Sequence, residues 1–159
     1  VGASLAGRGW EGITAFAGEI LTPELLDLGV QLGVGDRIVD IGEVDHMALN
    51  ALYSGADALI FPSYSEGFGW PVIEAQAAGC PVVCANKTSL PELAGRAAFL
   101  FDPDDVDGMT NAVRSLDDVT SRATLRSEGF ENVKRFSMQN FISGYEDVYR
   151  RAWEGQANA

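Results

Sequence analysis

The chain is poor in the residues that hold metals and cross-links. Among its 159 residues there are two cysteines, Cys80 and Cys84, and a single histidine, His46. Two thiols four positions apart, with the histidine distant in the chain, do not make the ligand set of a zinc site. Nor can they form the disulfide framework of a small secreted domain. They read instead as small buried hydrophobes in a reducing compartment. Basic side chains are scarce as well: 11 Lys and Arg against 23 Asp and Glu give a formal charge of −12. Such a surface repels nucleic acid and anionic lipid unless a local basic patch intervenes. No apolar run approaches the ~18 residues that would span a bilayer, no secretory leader is evident, and there is no internal repeat or low-complexity tract.

What remains is an ordinary globular composition, 47% hydrophobic and 21% charged, in a length that fits one domain with a proper core. Short apolar runs alternate with helical patterns. Val1–Ser4 reads as the end of a strand, and Gly7-Arg8-Gly9 as a turn, with a weaker reading as a phosphate-approaching loop. Residues 10–21 read as loop plus a short helical piece. Thr22 and Pro23 open a helix with Leu25, Leu28 and Leu32 as its apolar stripe and Gly33 at its end. Strands follow at 37–41, 57–61, 81–85 and 98–101. Asp45 caps a helix carrying His46, Met47, Leu49, Leu52 and Tyr53. Ser89 starts a helical turn over 90–93, and Asp102 caps a helix whose Val106, Met109, Val113 and Leu116 face inward. Helices at 118–135 and 138–153 close the chain, the last with Phe141, Tyr145, Val148, Tyr149 and Trp153 in a stripe. The alternation predicts an α/β fold, a doubly wound parallel sheet covered on both faces.

The stretch from Phe61 to Cys84 carries the chemistry. The run ending at Phe61 and Pro62 is a buried strand, Ser63–Gly69 a loop of small and polar residues, and Pro71 suits the first turn of a helix. Gly79 fits the left-handed position after that helix, with Pro81 just beyond. Amides in the helix's first turn, at about Val72 to Glu74, lack intrahelical partners and, with the helix dipole, attract an anion such as phosphate. Gly67 and Gly69 let the backbone approach a ligand. Glu74 can accept hydrogen bonds from the paired hydroxyls of a ribose, and Glu66 from those of a sugar nearer the loop. Phosphate, ribose and sugar together describe a nucleotide sugar. Lys87, in the loop after strand 81–85, reads either as a solvated lysine or as a phosphate or sugar contact.

Glu66 with Gly-Phe-Gly after it, and Glu74 with Ala-Gln-Ala-Ala-Gly after it, resemble the signature of the family-4 retaining glycosyltransferases of GT-B fold (glycosyl transferases group 1). The likeness extends to Gly-Val-Gly-Asp-Arg-Ile before strand 37–41, Ala-Leu-Tyr-Ser-Gly-Ala-Asp at 51–57 and Ser-Leu-Pro-Glu-Leu-Ala-Gly at 89–95. It continues through Phe101-Asp102-Pro103-Asp104 to Arg135-Phe136-Ser137. Roughly residues 30–150 follow the pattern in order.

The resemblance implies a Rossmann-like domain, the C-terminal, donor-binding half of a GT-B enzyme, truncated at its amino end and lacking the acceptor-binding domain. It implies sugar transfer from a nucleoside diphosphate to a hydroxyl acceptor (a glycan, lipid or polysaccharide) with retained configuration, the leaving phosphate deprotonating the acceptor. Glu66 takes the catalytic place and orients the donor sugar, and Glu74 holds the ribose. Backbone at Gly67, Phe68, Gly69, Trp70 and Val72 binds sugar and phosphate. Backbone near Val44, and Leu49, contact the base, although a core role for Leu49 is as good a reading. Trp70 departs from the small aliphatic residue usual there and either narrows the pocket or packs on the sheet. The family's phosphate-clamping Arg and Lys match no residue here, so the chain alone is expected to be inactive. The implied partner is a UDP- or GDP-sugar type donor, with no cofactor, metal, nucleic acid or membrane span, in a cytoplasmic protein that can associate peripherally with the membrane. The competing reading is a non-catalytic nucleotide-sugar-binding or assembly module of the same fold.

Overall fold

A computed structural model describes residues 1–157. Its strands are β1 (Thr14–Ala17), β2 (Ile38–Gly42), β3 (Leu59–Phe61), β4 (Val82–Ala85) and β5 (Phe99–Phe101). The helices are α1 (Gly2–Ala6), α2 (Pro23–Gln31), α3 (His46–Gly55), α4 (Trp70–Ala77), α5 (Leu90–Ala94), α6 (Val106–Ser115), α7 (Val119–Val133) and α8 (Met138–Ala157). Every strand pairing is parallel, but the strands form two groups, β1-β2 and β3-β4-β5.

The core is built on β4. Val82, Val83, Cys84 and Ala85 are wholly buried, as expected for a strand covered on both faces. Successive side chains point to opposite faces. Val82 and Cys84 join Val72 and Ala75 of α4 and Leu90 and Ala94 of α5. Val83 joins Leu5 of α1 with Met109, Ala112 and Val113 of α6. Helices therefore cover both faces of the strand, the doubly wound arrangement that the alternation predicts.

A buried polar side chain fastens α7 to this layer. The Gln76 amide nitrogen donates to the carbonyls of Ala94 and Ala97 at 3.2 and 3.1 Å, and its oxygen accepts from Asn132 Nδ2 at 2.7 Å. Gly129 lies over Gln76, where an added Cβ would already touch it at 3.4 Å. All of the amide's polar atoms are satisfied, so its burial carries little penalty.

Several local expectations need correction. Val1–Ser4 does not end a strand: residues 2–6 form α1, closed by the Leu5 amide donating to the Val1 carbonyl at 2.9 Å. The 10–21 stretch holds β1 in place of a helical piece, because pairing with β2 supplies its backbone partners. Leu25, Leu28 and Leu32 do not face a core; they are 50%, 46% and 55% exposed, and Leu32 lies past the last turn of α2. Asp105, not Asp102, caps α6, its carboxylate accepting from Gly108 N at 2.8 Å. Val106 at its start is exposed, while Met109, Val113 and Leu116 are buried. The stripe of Phe141, Tyr145, Val148, Tyr149 and Trp153 on α8 is exposed. No helix among the described residues is long and apolar enough to cross a membrane.

Candidate functional site

Because β3, β4 and β5 run parallel, the loops leaving their carboxyl ends lie along one edge. In open α/β sheets that edge is where ligands bind. The loop after β3 carries Glu66, and those after β4 and β5 carry Lys87–Ser89 and Asp102–Asp104.

The β3 loop enters α4 through Gly69, whose φ of 109° puts it in the left-handed region. A Cβ there would stand 2.6 Å from Leu90 Cδ2. Gly69 is thus required by backbone conformation and by core packing, whatever approaches its backbone from the loop side. Gly67 differs: a Cβ on it would meet nothing within 4 Å, so its open side remains available to a ligand. Pro71, with no N–H to lose, follows Trp70 in the first turn of α4. The Val72 side chain lies in the core, and its amide already donates to the Gly69 carbonyl at 3.1 Å. The first turn is tightened by that bond, which uses an N–H otherwise free at a helix start. Among the expected anion-binding amides, those of Phe68 to Trp70 suit the role better than that of Val72.

Trp70 does not pack on the sheet. It is 61% exposed and meets Phe68 at a 49° tilt with ring centroids 4.7 Å apart, while Phe68 meets Phe136 edge-on at 6.2 Å. The three rings form an aromatic ledge beside the Glu66 loop.

Glu74, half-buried on α4, lies 3.5 Å from the Tyr53 hydroxyl of α3, at the long limit of a hydrogen bond. Burial first, and then the Glu74 carboxylate, push the Tyr53 phenol up to about 12. Tyr53 therefore stays a neutral donor, leaving the other Glu74 oxygen for a ligand. One turn back on α3, Leu49 lines a hollow of about 250 Å³ with Ala17, Gly18, Glu43 and Val44. Leu49 also lines a cleft of about 470 Å³ whose walls include Phe16, Tyr53, Phe61 and Pro71. The structure thus brings Val44 and Leu49 together and connects them through Tyr53 to Glu74. Leu49 itself is half-buried and lines both hollows.

The cations named in the sequence are paired with carboxylates, Lys87 at the same edge as Glu66 and Arg8 with one on α6. Lys87 pairs with Asp102 at 2.7 Å, and that hydrogen bond raises the lysine and lowers the aspartate from their ordinary pKa values. Arg8 pairs with Asp107 at 2.6 Å and donates to Asn111 at 2.7 Å. His46, first residue of α3, is exposed. Burial pushes the Cys80 and Cys84 thiols up to about 11 and about 12; neither is a thiolate at neutral pH, so both behave as buried hydrophobes.

Two contributors were missed by sequence reasoning. Ser89 does not cap α5 with its side chain; its hydroxyl points to the β3 loop, as does that of Thr88. The only local signal is a pair of hydroxyl residues ahead of Leu-Pro-Glu-Leu, and their partners lie more than twenty positions away.

The parallel layers and the loop-to-helix site define a GT-B type domain. The group 1 glycosyl transferase profile matches residues 12–118, and the chain belongs to that family. It is 35% identical over 144 residues to O-antigen chain mannosyltransferase B of Escherichia coli, covering 90% of this chain and 35% of that protein. It is also 35% identical over 130 residues to D-inositol 3-phosphate glycosyltransferase 2 of Catenulispora acidiphila, covering 80% and 30%. Sucrose-phosphate synthase from Thermosynechococcus elongatus superposes with a TM-score of 0.80 at 26% identity, over 96% of this chain and 41% of that one. Anabaena HepE in complex with UDP superposes with a TM-score of 0.82 at 20% identity, over 94% and 44%. The chain spans about a third of the length of the curated relatives it matches.

Proposed function

We propose that this chain is the donor-binding domain of a retaining glycosyltransferase that moves a sugar from a nucleoside diphosphate to a hydroxyl acceptor. The observation that carries the reading is the arrangement around α4. Glu66 precedes the helix in a loop at the carboxyl edge, Gly69 forms the left-handed entry to the helix, and Glu74 on the helix meets Tyr53 of α3, the helix whose Leu49 lines a hollow with Val44. The base occupies the hollow, Glu74 holds the ribose hydroxyls, the Phe68–Trp70 backbone meets sugar and phosphate, and Glu66 binds and orients the donor sugar. The complexes of HepE with UDP and with UDP-glucose support a nucleotide-sugar ligand. The mannosyltransferase relative supports a glycan acceptor.

The remaining parts of the enzyme lie outside these residues. The cleft of about 470 Å³ has β1 on one wall and β3 on the other, and neither strand pairs across it among the described residues. A further parallel strand in that cleft would join the two groups into one sheet, and on this reading additional polypeptide completes the domain. The phosphate-clamping cations and the acceptor site would come from there too, since Lys87 and Arg8 are already paired. Those pairings also favour the alternative, a binding module that does not itself catalyse. Reaction occurs in the cytoplasm, with any membrane contact peripheral.

Calorimetric titration with UDP, GDP and ADP, then with their sugar conjugates, tests the division of labour. Glu74→Ala should weaken the nucleotide roughly 10- to 100-fold, the equivalent of one or two charged hydrogen bonds. Glu66→Ala should weaken only the sugar conjugate. Equal losses for nucleotide and conjugate in the Glu66 variant would contradict the assignment.

A further inference from the structure

The loop bearing Glu66 is held by two hydroxyls from the neighbouring strand's loop. Thr88 Oγ1 accepts from the Glu66 amide at 3.1 Å. Ser89 Oγ donates to the Phe68 carbonyl at 2.6 Å and lies 3.2 Å from the Glu66 carbonyl. The peptide groups on both sides of Glu66 are therefore engaged by side chains, on a segment that belongs to neither helix nor strand. Thr88 is also the single non-glycine residue with positive φ among the described residues, at 47°. A β-branched residue adopts that conformation only where its surroundings over-determine it, and such strain concentrates at functional sites. Glycine would relieve the strain but would bring no hydroxyl to Glu66. The Thr88 loop is itself anchored: Asn86 N donates to the Phe101 carbonyl at 2.6 Å, and Lys87 pairs with Asp102. The far end of the Glu66 loop is tied as well, by the Tyr64 hydroxyl donating to Asp104.

We propose that Thr88 and Ser89 are positioning residues that fix the Glu66 backbone so that its carboxylate meets the donor sugar. The inference rests on the reading of Glu66 as the sugar-binding carboxylate. The strained Thr88 backbone is the means by which Oγ1 is brought to the Glu66 amide. Thr88 holds the Glu66 amide alone, so its loss falls on the sugar; Ser89 also holds the Phe68 carbonyl, on the backbone that meets the phosphate, so its loss falls on both parts of the donor.

The test uses Thr88→Val, which keeps the β-branch and removes the acceptor, with Ser89→Ala and the conservative Thr88→Ser, all in the full-length gene product. Thr88→Val should weaken the sugar conjugate roughly three- to tenfold, the loss of one neutral hydrogen bond, and leave the free nucleoside diphosphate within about twofold, while Ser89→Ala should weaken both ligands by a similar factor. Thr88→Ser should restore the wild-type ratio. Exchange of the Glu66 amide hydrogen should accelerate in Thr88→Val and return in Thr88→Ser. Equal losses for both ligands or no loss for either in Thr88→Val, no loss of the conjugate in Ser89→Ala, or a Thr88→Ser variant that behaves like Thr88→Val would overturn the proposal. A wild-type protein that binds no nucleotide defeats the donor reading instead. The clamp is then judged on exchange alone, and an unchanged Glu66 amide in Thr88→Val overturns it.

Discussion

The two halves of the chain use apolar residues in opposite ways. From β3 to α7 a set of them closes into one core: β4 is wholly buried, and Val72, Leu90 and Met109 close over it from both sides. From β1 to α3 they stay at the surface, with Phe16, Leu25, Leu28, Leu32 and Val39 all exposed and Gly29 the only buried residue of α2. The difference is one of neighbours. β4 has strands on either side and helices on both faces, whereas β1 and β2 pair only with each other among the described residues. A rigid half therefore carries the Glu66 loop and α4, and a less buried half supplies Val44 and Leu49. Catalytic and sugar-binding groups need the former, because small displacements of a positioned group are costly to rate.

Truncating equivalent leucines breaks the comparison most sharply. Leu90→Ala removes a wholly buried side chain and should cost about 3 kcal/mol, as core truncations do. Leu28→Ala, at a site 46% exposed, should cost under about 1 kcal/mol. Urea unfolding of both variants checks this, and equal losses would mean that the amino-terminal half is as well packed as the other.

The two loop glycines sharpen the boundary of the rigid half. Gly69→Ala must place a Cβ 2.6 Å from Leu90 at a φ of 109°, and should destabilise by on the order of 2 kcal/mol. Gly67→Ala faces open space and should change the unfolding midpoint little, since surface substitutions usually stay within about 0.5 kcal/mol. Its effect should appear in ligand binding, where the new methyl occupies the approach side. A Gly67→Ala variant as destabilised as Gly69→Ala would place the loop tip inside the packed region.

These contrasts also mark what could be read from the chain. α4 was legible from Pro71 and Gly79, whose fixed and left-handed conformations write helix ends into the sequence; Gly79 has a φ of 75°. α3 was legible from Asp45, which accepts from Ala48 N at 2.8 Å. β4 was legible as an uninterrupted apolar run. β1 was not, because a strand exposed at most of its positions has no alternation to betray it, and its pairing with β2 is nonlocal. The exposure of the α2 stripe was hidden too, since helical periodicity reports a face that could be buried, not whether anything covers it. At the site, Glu66 and Glu74 stood out through their spacing around glycine and proline. Thr88 and Ser89 did not, because their hydrogen bonds join loops brought together only when β3 and β4 pair.

The most direct test of the donor-site assignment is to titrate the ¹⁵N-labelled full-length gene product with UDP, GDP and ADP and map the amide shifts. The account predicts saturable changes for one nucleotide at Gly18, Val44 and Leu49 and at Phe68, Gly69, Trp70 and Glu74. Changes confined to the separate hollow of about 480 Å³ lined by Gly95, Arg96, Asn132 and Arg135, or no changes with any of the three, would contradict it.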